Sequence, residues 1–390
     1  MTVVRIAQSL PQPTPAPEEG RGPDPWVLAA TLGLVALGVA MVFSASVPSA
    51  TAGRSGDIFR ALRREGVVVG MGLAAMLAAS RMSLQWLRSR AGMLLALTIG
   101  LLVAVIFLGR EVNGARSWFA IPGTGLSFQP SEMAKIVLVI AAARYFARLP
   151  RGLSNWRRAL PPFVMLLVVT LLVAAEPDMG TAAVIVAAML VYYHIAGARL
   201  RHILAAGSLG LVGAAAMVWH HPYQLRRILD FFAGSEVNLD GGYQRMRALI
   251  ALGSGGVTGR GYLSGVEKYF YLPASSTDSI LAVIGEELGM IATWAVIAAF
   301  LLLVWRGMTI AGRAPDRFSG LVAAGVTCVI GVQALLNIAV VTGSIPATGV
   351  PLPFVSYGGS SLFFALIGIG LLLNVSRTAA PARAGAARPQ

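Results

Sequence analysis

The sequence predicts an all-α integral membrane protein of ten transmembrane helices, with a long extracellular loop between helices 7 and 8. Three observations carry that prediction. Of 390 residues 56% are hydrophobic and 12% charged, where a soluble domain has about a quarter charged. Apolar runs of about 20 residues, the length that crosses a bilayer, recur along the chain. Arginines cluster in alternate short loops, as expected of loops held on the cytoplasmic side.

In chain order, residues 1–25 are rich in proline and hold Glu18, Glu19 and Asp24, a composition that reads as a disordered cytoplasmic tail. Spans are expected at 26–46, 64–80, 91–109, 132–148, 159–175, 179–197, 203–219, 280–305, 318–343 and 355–375. They make one membrane domain over 26–376, with a large outer loop at 220–279 and a second disordered cytoplasmic tail at 377–390. Arg81, Arg88, Arg90, Arg144, Arg148, Arg151, Arg157, Arg158, Arg199, Arg201, Arg306, Arg313, Arg317 and Arg377 fall on one side, which places both termini in the cytoplasm. Arg54, Arg60, Arg63 and Arg64 are the exception. The formal net charge of +14 is thereby assigned to topology, with no nucleic acid implied. Cys328 is the only cysteine, so no disulfide forms within the chain.

Four outward places hold residues that packing alone does not require. In the first, Glu132 and Lys135 stand three apart on one helix face, in the first turn of a span behind Gln129-Pro-Ser. In the second, Glu176-Pro-Asp-Met-Gly-Thr181 is a hairpin whose carboxylates suit either a helix cap or a cation. The third is the long outer loop. There 243–252 reads as a short helix with basic and apolar faces, and Gly253-Ser-Gly-Gly-Val-Thr-Gly-Arg-Gly261 as a turn whose amides could cradle an anion. Lys268 and Asp278 bracket its far end, and Asp278 doubles as a candidate N-cap of the eighth span. Inside that span Glu286 and Glu287 need a polar cavity or partners. The fourth place, Thr348 to Ser361, has two prolines and two glycines that break helix at membrane depth. No nucleotide fingerprint is present, so ATP-driven transport has no support.

Together Asn113-Gly-Ala-Arg-Ser-Trp, Gln129-Pro-Ser-Glu-x-x-Lys135, Pro177-Asp-x-Gly-Thr181, Gly242-Tyr-Gln244, Lys268-x-x-Tyr-Leu-Pro, Thr277-Asp278, Gly285-Glu-Glu-x-Gly289 and Pro351-Leu-Pro-Phe-Val-Ser-Tyr-Gly-Gly-Ser-Ser361 resemble the SEDS family (shape, elongation, division and sporulation) from the first span to the last. Arg247-Ala248 and Ser279 depart from the family pattern, which often has Gln-Ser and Phe there. The resemblance implies a bacterial inner-membrane peptidoglycan glycosyltransferase that polymerises lipid II on the outer face and releases undecaprenyl pyrophosphate. It implies a class B penicillin-binding protein and other divisome membrane proteins as partners. Asp278 maps onto the catalytic aspartate, with Arg116, Glu132, Lys135, Asp178, Gln244, Lys268 and Ser356 as substrate-binding residues. Lys268 ahead of Tyr-Leu-Pro leans towards septal rather than elongation synthesis.

The chemistry agrees. A sugar on a lipid pyrophosphate has a good leaving group, so transfer needs one base and positive charge for the phosphates. Asp278 is the expected base, Arg116, Lys135 and Lys268 the expected phosphate contacts, and Glu132 the group that orients Lys135. Asp178 is the candidate for holding a divalent cation, Mg or Mn. The competing readings are an elongation polymerase, a lipid-linked sugar flippase, a division scaffold, and a proton-coupled transporter working through Glu286 or Glu287.

Overall fold

The computed structural model describes residues 22–52, 58–112, 115–124, 126–149, 156–220, 240–269 and 271–378, with isolated positions 225, 227, 229 and 231. The expected disorder of the tails falls mostly on 1–21 and 379–390, and the first two residues of the Asn113-Gly-Ala-Arg-Ser-Trp motif on 113–114, all outside the described residues. Long helices follow the apolar runs: α1 (Pro25–Ala52), α2 (Arg60–Ala79), α3 (Leu84–Leu108), α4 (Pro130–Ala147), α5 (Trp156–Ala175), α6 (Met179–Ile195) and α7 (Leu200–His220). After them come the short helix α8 (Asp240–Ser254), then α9 (Ile280–Gly312), α10 (Arg317–Val341) and α11 (Gly359–Thr378). Among the described residues six helices, α1, α3, α5, α9, α10 and α11, are long and apolar enough to cross a membrane, while α6 and the apolar part of α7 are shorter. The frame is that of a multi-pass membrane protein. The chain is not wholly helical, because β1 (Arg110–Val112), β2 (Ala115–Ala120) and β3 (Ser127–Phe128) form a small antiparallel sheet between α3 and α4. Phe119 pairs with Phe128 in its register.

The core lies along α4 and α10, which are buried on nearly every face. Helix α10 packs against α4, α6, α9 and α11, and α1 and α2 close the far side against α9 and α11. Asp24 is not part of a loose tail. Its carboxylate accepts from the amides of Trp26 and Val27 and pairs with Arg306, while its own amide donates to Ser376. The start of α1, the later part of α9 and the end of α11 therefore share one end of the bundle. The first turns of α4, α6 and α9 and the last turn of α10 share the other.

That second end holds a broken helix. Gly289 interrupts α9 at φ 77°, where only glycine sits without strain, and the freed backbone finds partners in the glycine-rich turn after α8. The amides of Arg260 and Gly261 donate to the carbonyls of Glu286 and Glu287 at 3.0 and 2.9 Å. Met290 and Ile291 donate back to Gly256 and Val257. A Cβ on Gly259 would stand 2.2 Å from the Glu287 carbonyl oxygen, so the contact requires a bare backbone. The glycines expected to cradle an anion instead satisfy α9.

Candidate active site

Asp278 sits at the junction of the outer loop and α9, 6% exposed. It is not the helix cap, a place taken by Ser279. Its carboxylate accepts from Gln244 Nε2 on α8 at 3.1 Å and from Thr277 Oγ1 at 2.9 Å. Both donors are neutral, and no lysine or arginine pairs with it among the described ion pairs. A carboxylate so held has lone pairs left to take a proton.

The backbone around Asp278 is clamped by the motif from Pro351 to Ser361. Ser356 Oγ donates to the Thr277 carbonyl at 2.5 Å and accepts from the Leu352 amide at 2.8 Å. The Tyr357 amide donates to the Ser276 carbonyl. Asn337 Nδ2 reaches both the Asp278 carbonyl and the Val350 carbonyl at 2.8 Å. The two prolines and two glycines are tolerated here because protein, not lipid, receives the broken backbone. Ser356 is thus occupied with holding the turn.

One helical turn earlier on α10, Gln333 Nε2 donates to the Pro351 carbonyl and its Oε1 accepts from Lys135 Nζ at 2.5 Å. Lys135 also pairs with Glu132 at 2.8 Å, and both side chains are about 5% exposed. The two residues expected on one helix face are therefore paired. Gln333 and Asn337 were not singled out in the sequence, although two amides four residues apart on one face of an apolar span are the signal of a buried polar seam.

Lys268 stands apart. Its ammonium donates to Glu287 Oε1 at 2.6 Å, Ser44 Oγ at 2.8 Å and the Leu263 carbonyl at 3.0 Å, with a fully buried side chain. Three acceptors use three protons, so the expected phosphate contact has no donor left in this state. The residue ties α1, the outer loop and α9 together. Glu286, expected to need a partner, accepts from the amides of Val266 and Glu267 and lies 3.5 Å from Arg260.

Asp178 caps α6, accepting from the Thr181 amide at 3.0 Å, and its other oxygen takes Gln129 Nε2 at 2.8 Å. Burial pushes its carboxyl up, the Thr181 bond opposes, and Glu132 adds to the rise. Each Asp178 oxygen thus carries one hydrogen bond, and no group of three or more acidic, histidine or cysteine side chains is placed for a metal among the described residues. Glu176 beside it is 1% exposed with neither carboxylate oxygen partnered, and burial together with the Asp178 charge pushes it up to about 8. Arg116 lies at the surface, 57% exposed and 3.3 Å from Glu111, on a cavity of about 180 Å³ that Glu176 and Pro177 also line. A narrower cleft opens beside Gln244 and Ser279, with Arg227 and Arg245 in its wall. Its free volume of about 10 Å³ admits no more than about one water, so a substrate must displace α8 or its neighbours.

The fold and this polar end define a multi-pass membrane protein with a buried aspartate that no lysine or arginine pairs with among the described residues. The chain belongs to the FtsW, RodA and SpoVE family of cell cycle proteins, whose family model matches residues 25–380. Stage V sporulation protein E of Bacillus subtilis is 37% identical over 358 residues, 91% of this chain and 97% of that protein. The probable peptidoglycan glycosyltransferase FtsW of Halomonas elongata is 39% identical over 90% of each chain. The crystal structure of rod shape determining protein RodA from Thermus thermophilus superposes with a TM-score of 0.66 at 29% identity, covering 92% of this chain and 98% of that one. A chain of a structure described as the structural coordination of polymerization and crosslinking by a peptidoglycan synthase complex gives 0.73 at 29% identity, covering 91% and 98%.

Proposed function

We propose that this protein is a peptidoglycan glycosyltransferase that polymerises lipid II at the outer face of a bacterial inner membrane, with both termini cytoplasmic and ten spans in one domain over 26–376. The observation that carries this reading is the Asp278 carboxylate, buried and held among the described residues by the neutral donors Gln244 and Thr277. Asp278 takes the proton of the acceptor 4-hydroxyl. That oxygen then bonds to the anomeric carbon from the face opposite the pyrophosphate, whose bond breaks, so the centre inverts and undecaprenyl pyrophosphate leaves. Arg227 and Arg245, in the cleft beside Gln244 and Ser279, are better placed for the departing phosphates than Lys268. Arg116 is available at the second cavity, since an exposed pair such as Arg116–Glu111 exchanges partners at little cost. Lys135 and Glu132 brace the Pro351 loop through Gln333.

The partner is a class B penicillin-binding protein, and the process is septal synthesis within the divisome. This assignment draws on the names of the FtsW relatives and on the complex in which a similar chain occurs. The test is glycan polymerisation from purified lipid II in detergent, with a cognate penicillin-binding protein whose transpeptidase site is inactive. Polymer formed by the intact chain supports the reading. Transport of lipid II across vesicles without polymer would make the protein a flippase instead.

A further inference from the structure

Arg247 and Glu267 form an incomplete polar pair near the proposed base. Arg247 Nη1 donates to Glu267 Oε1 at 3.5 Å, and the guanidinium lies between the rings of Tyr243 and Tyr271, 5.1 and 5.0 Å from their centroids. Glu267 is 7% exposed, yet among the described residues its Oε2 has no hydrogen-bond partner, and neither has the Nε of Arg247. A buried donor and a buried acceptor left open are each costly, a cost that a bound group supplying both partners would remove. The two rings stop the guanidinium from swinging out to water. With the Arg247 side chain 25% exposed and Tyr271 46% exposed, the pair is within reach of the outer surface.

Its position links it to the reaction. Gln244, which touches Asp278, precedes Arg247 by three residues on α8, so the two share a face about one turn apart. The open groups also define the ligand. An anion would meet the Arg247 Nε–H but be repelled by Glu267, and a cation would meet the reverse. A hydroxyl donates to Oε2 and accepts from Nε–H at once, and the tyrosine rings offer the apolar flank that a sugar ring needs. Burial pushes the Glu267 carboxyl up, opposed by the Arg247 charge and hydrogen bond.

We propose that Arg247 and Glu267, flanked by Tyr243 and Tyr271, form a sugar-hydroxyl subsite that holds the acceptor ring while Asp278 takes the proton of its attacking hydroxyl. The proposal rests on the polymerase reading and assigns a binding role to Arg247, one of the departures from the family pattern. Arg247→Lys keeps the charge but removes Nε–H and the planar fork. In lipid II polymerisation it raises KM about fivefold, the loss of one hydrogen bond to substrate, with a smaller fall in kcat and an unchanged melting midpoint. If the pair only staples α8 to the turn at 266–272, midpoint and kcat fall with KM unmoved, which overturns the subsite.

A second arm needs no turnover. Chitotetraose, a neutral N-acetylglucosamine oligomer, binds the intact chain and Asp278→Asn in saturation-transfer NMR, and binds Arg247→Lys about fivefold more weakly. Equal binding by Arg247→Lys and the intact chain, or none by the intact chain, overturns the proposal. Oligosaccharide binding without any polymer keeps the subsite and rejects the polymerase reading, so the two failures are separable.

Discussion

Two buried carboxylates of the same polar end behave differently because of what holds them. Glu287 is locked to Lys268 at 2.6 Å, with Ser44 and the Leu263 amide completing its shell. Asp278, one helical segment away, receives only an amide and a hydroxyl. A carboxylate saturated by an ammonium is a fastener, while one held by neutral donors can still exchange a proton. The same contrast applies to Lys135, whose charge is spent on Glu132 and Gln333. The polar residues of this end therefore divide into a frame and a reacting group, and that division is open to experiment.

The largest effect is expected from breaking the frame. Lys268→Met strands Glu287 in a fully buried site and should destabilise the protein by about 3–5 kcal/mol, read as a lower melting midpoint in detergent. The double variant Lys268→Met with Glu287→Gln should recover most of that loss, and failure to recover would mean that the ammonium does more than neutralise Glu287.

Next is a pH effect at Glu176. Its folded carboxyl is raised from 4.5 to about 8, so the folded state binds the proton more tightly than the unfolded one. Stability is then full below 4.5, declines as pH rises from 4.5 to about 8, and is level above that. Glu176→Gln should flatten this slope and melt higher than the intact chain at alkaline pH. Parallel pH profiles for the two proteins would contradict it.

Smaller effects fall on the groups around Asp278. Gln244→Leu removes the amide that orients the carboxylate and should slow polymerisation about tenfold, equivalent to about 1.4 kcal/mol, with little change in melting. Ser356→Ala loses the clamp on the Thr277 carbonyl and should lower stability by about 1 kcal/mol, read from the melting midpoint.

The helices were legible because an apolar run long enough to cross a bilayer has few alternatives, and the expected bounds of α6 and α9 begin where the helices do, at Met179 and Ile280. The pairing of Glu132 with Lys135 was legible from their spacing. The sheet was not, since strands of two to six residues carry too little alternation to stand out beside long spans. Ser44, which completes the Lys268 shell, lies more than two hundred residues away in sequence, and spacing is silent on such a contact. The glycine-rich turn after α8 was misread for a similar reason: its amides serve the break at Gly289, and only the folded chain brings the two together.

The most direct test compares Asp278→Asn with the Lys268→Met, Glu287→Gln double variant in one lipid II polymerisation assay, each checked by its melting midpoint. The account predicts that Asp278→Asn melts like the intact chain and makes at least about a hundredfold less polymer, while the double variant, once folded, keeps most of its activity. Polymer from Asp278→Asn, or a well-folded double variant without activity, would contradict the division between frame and base.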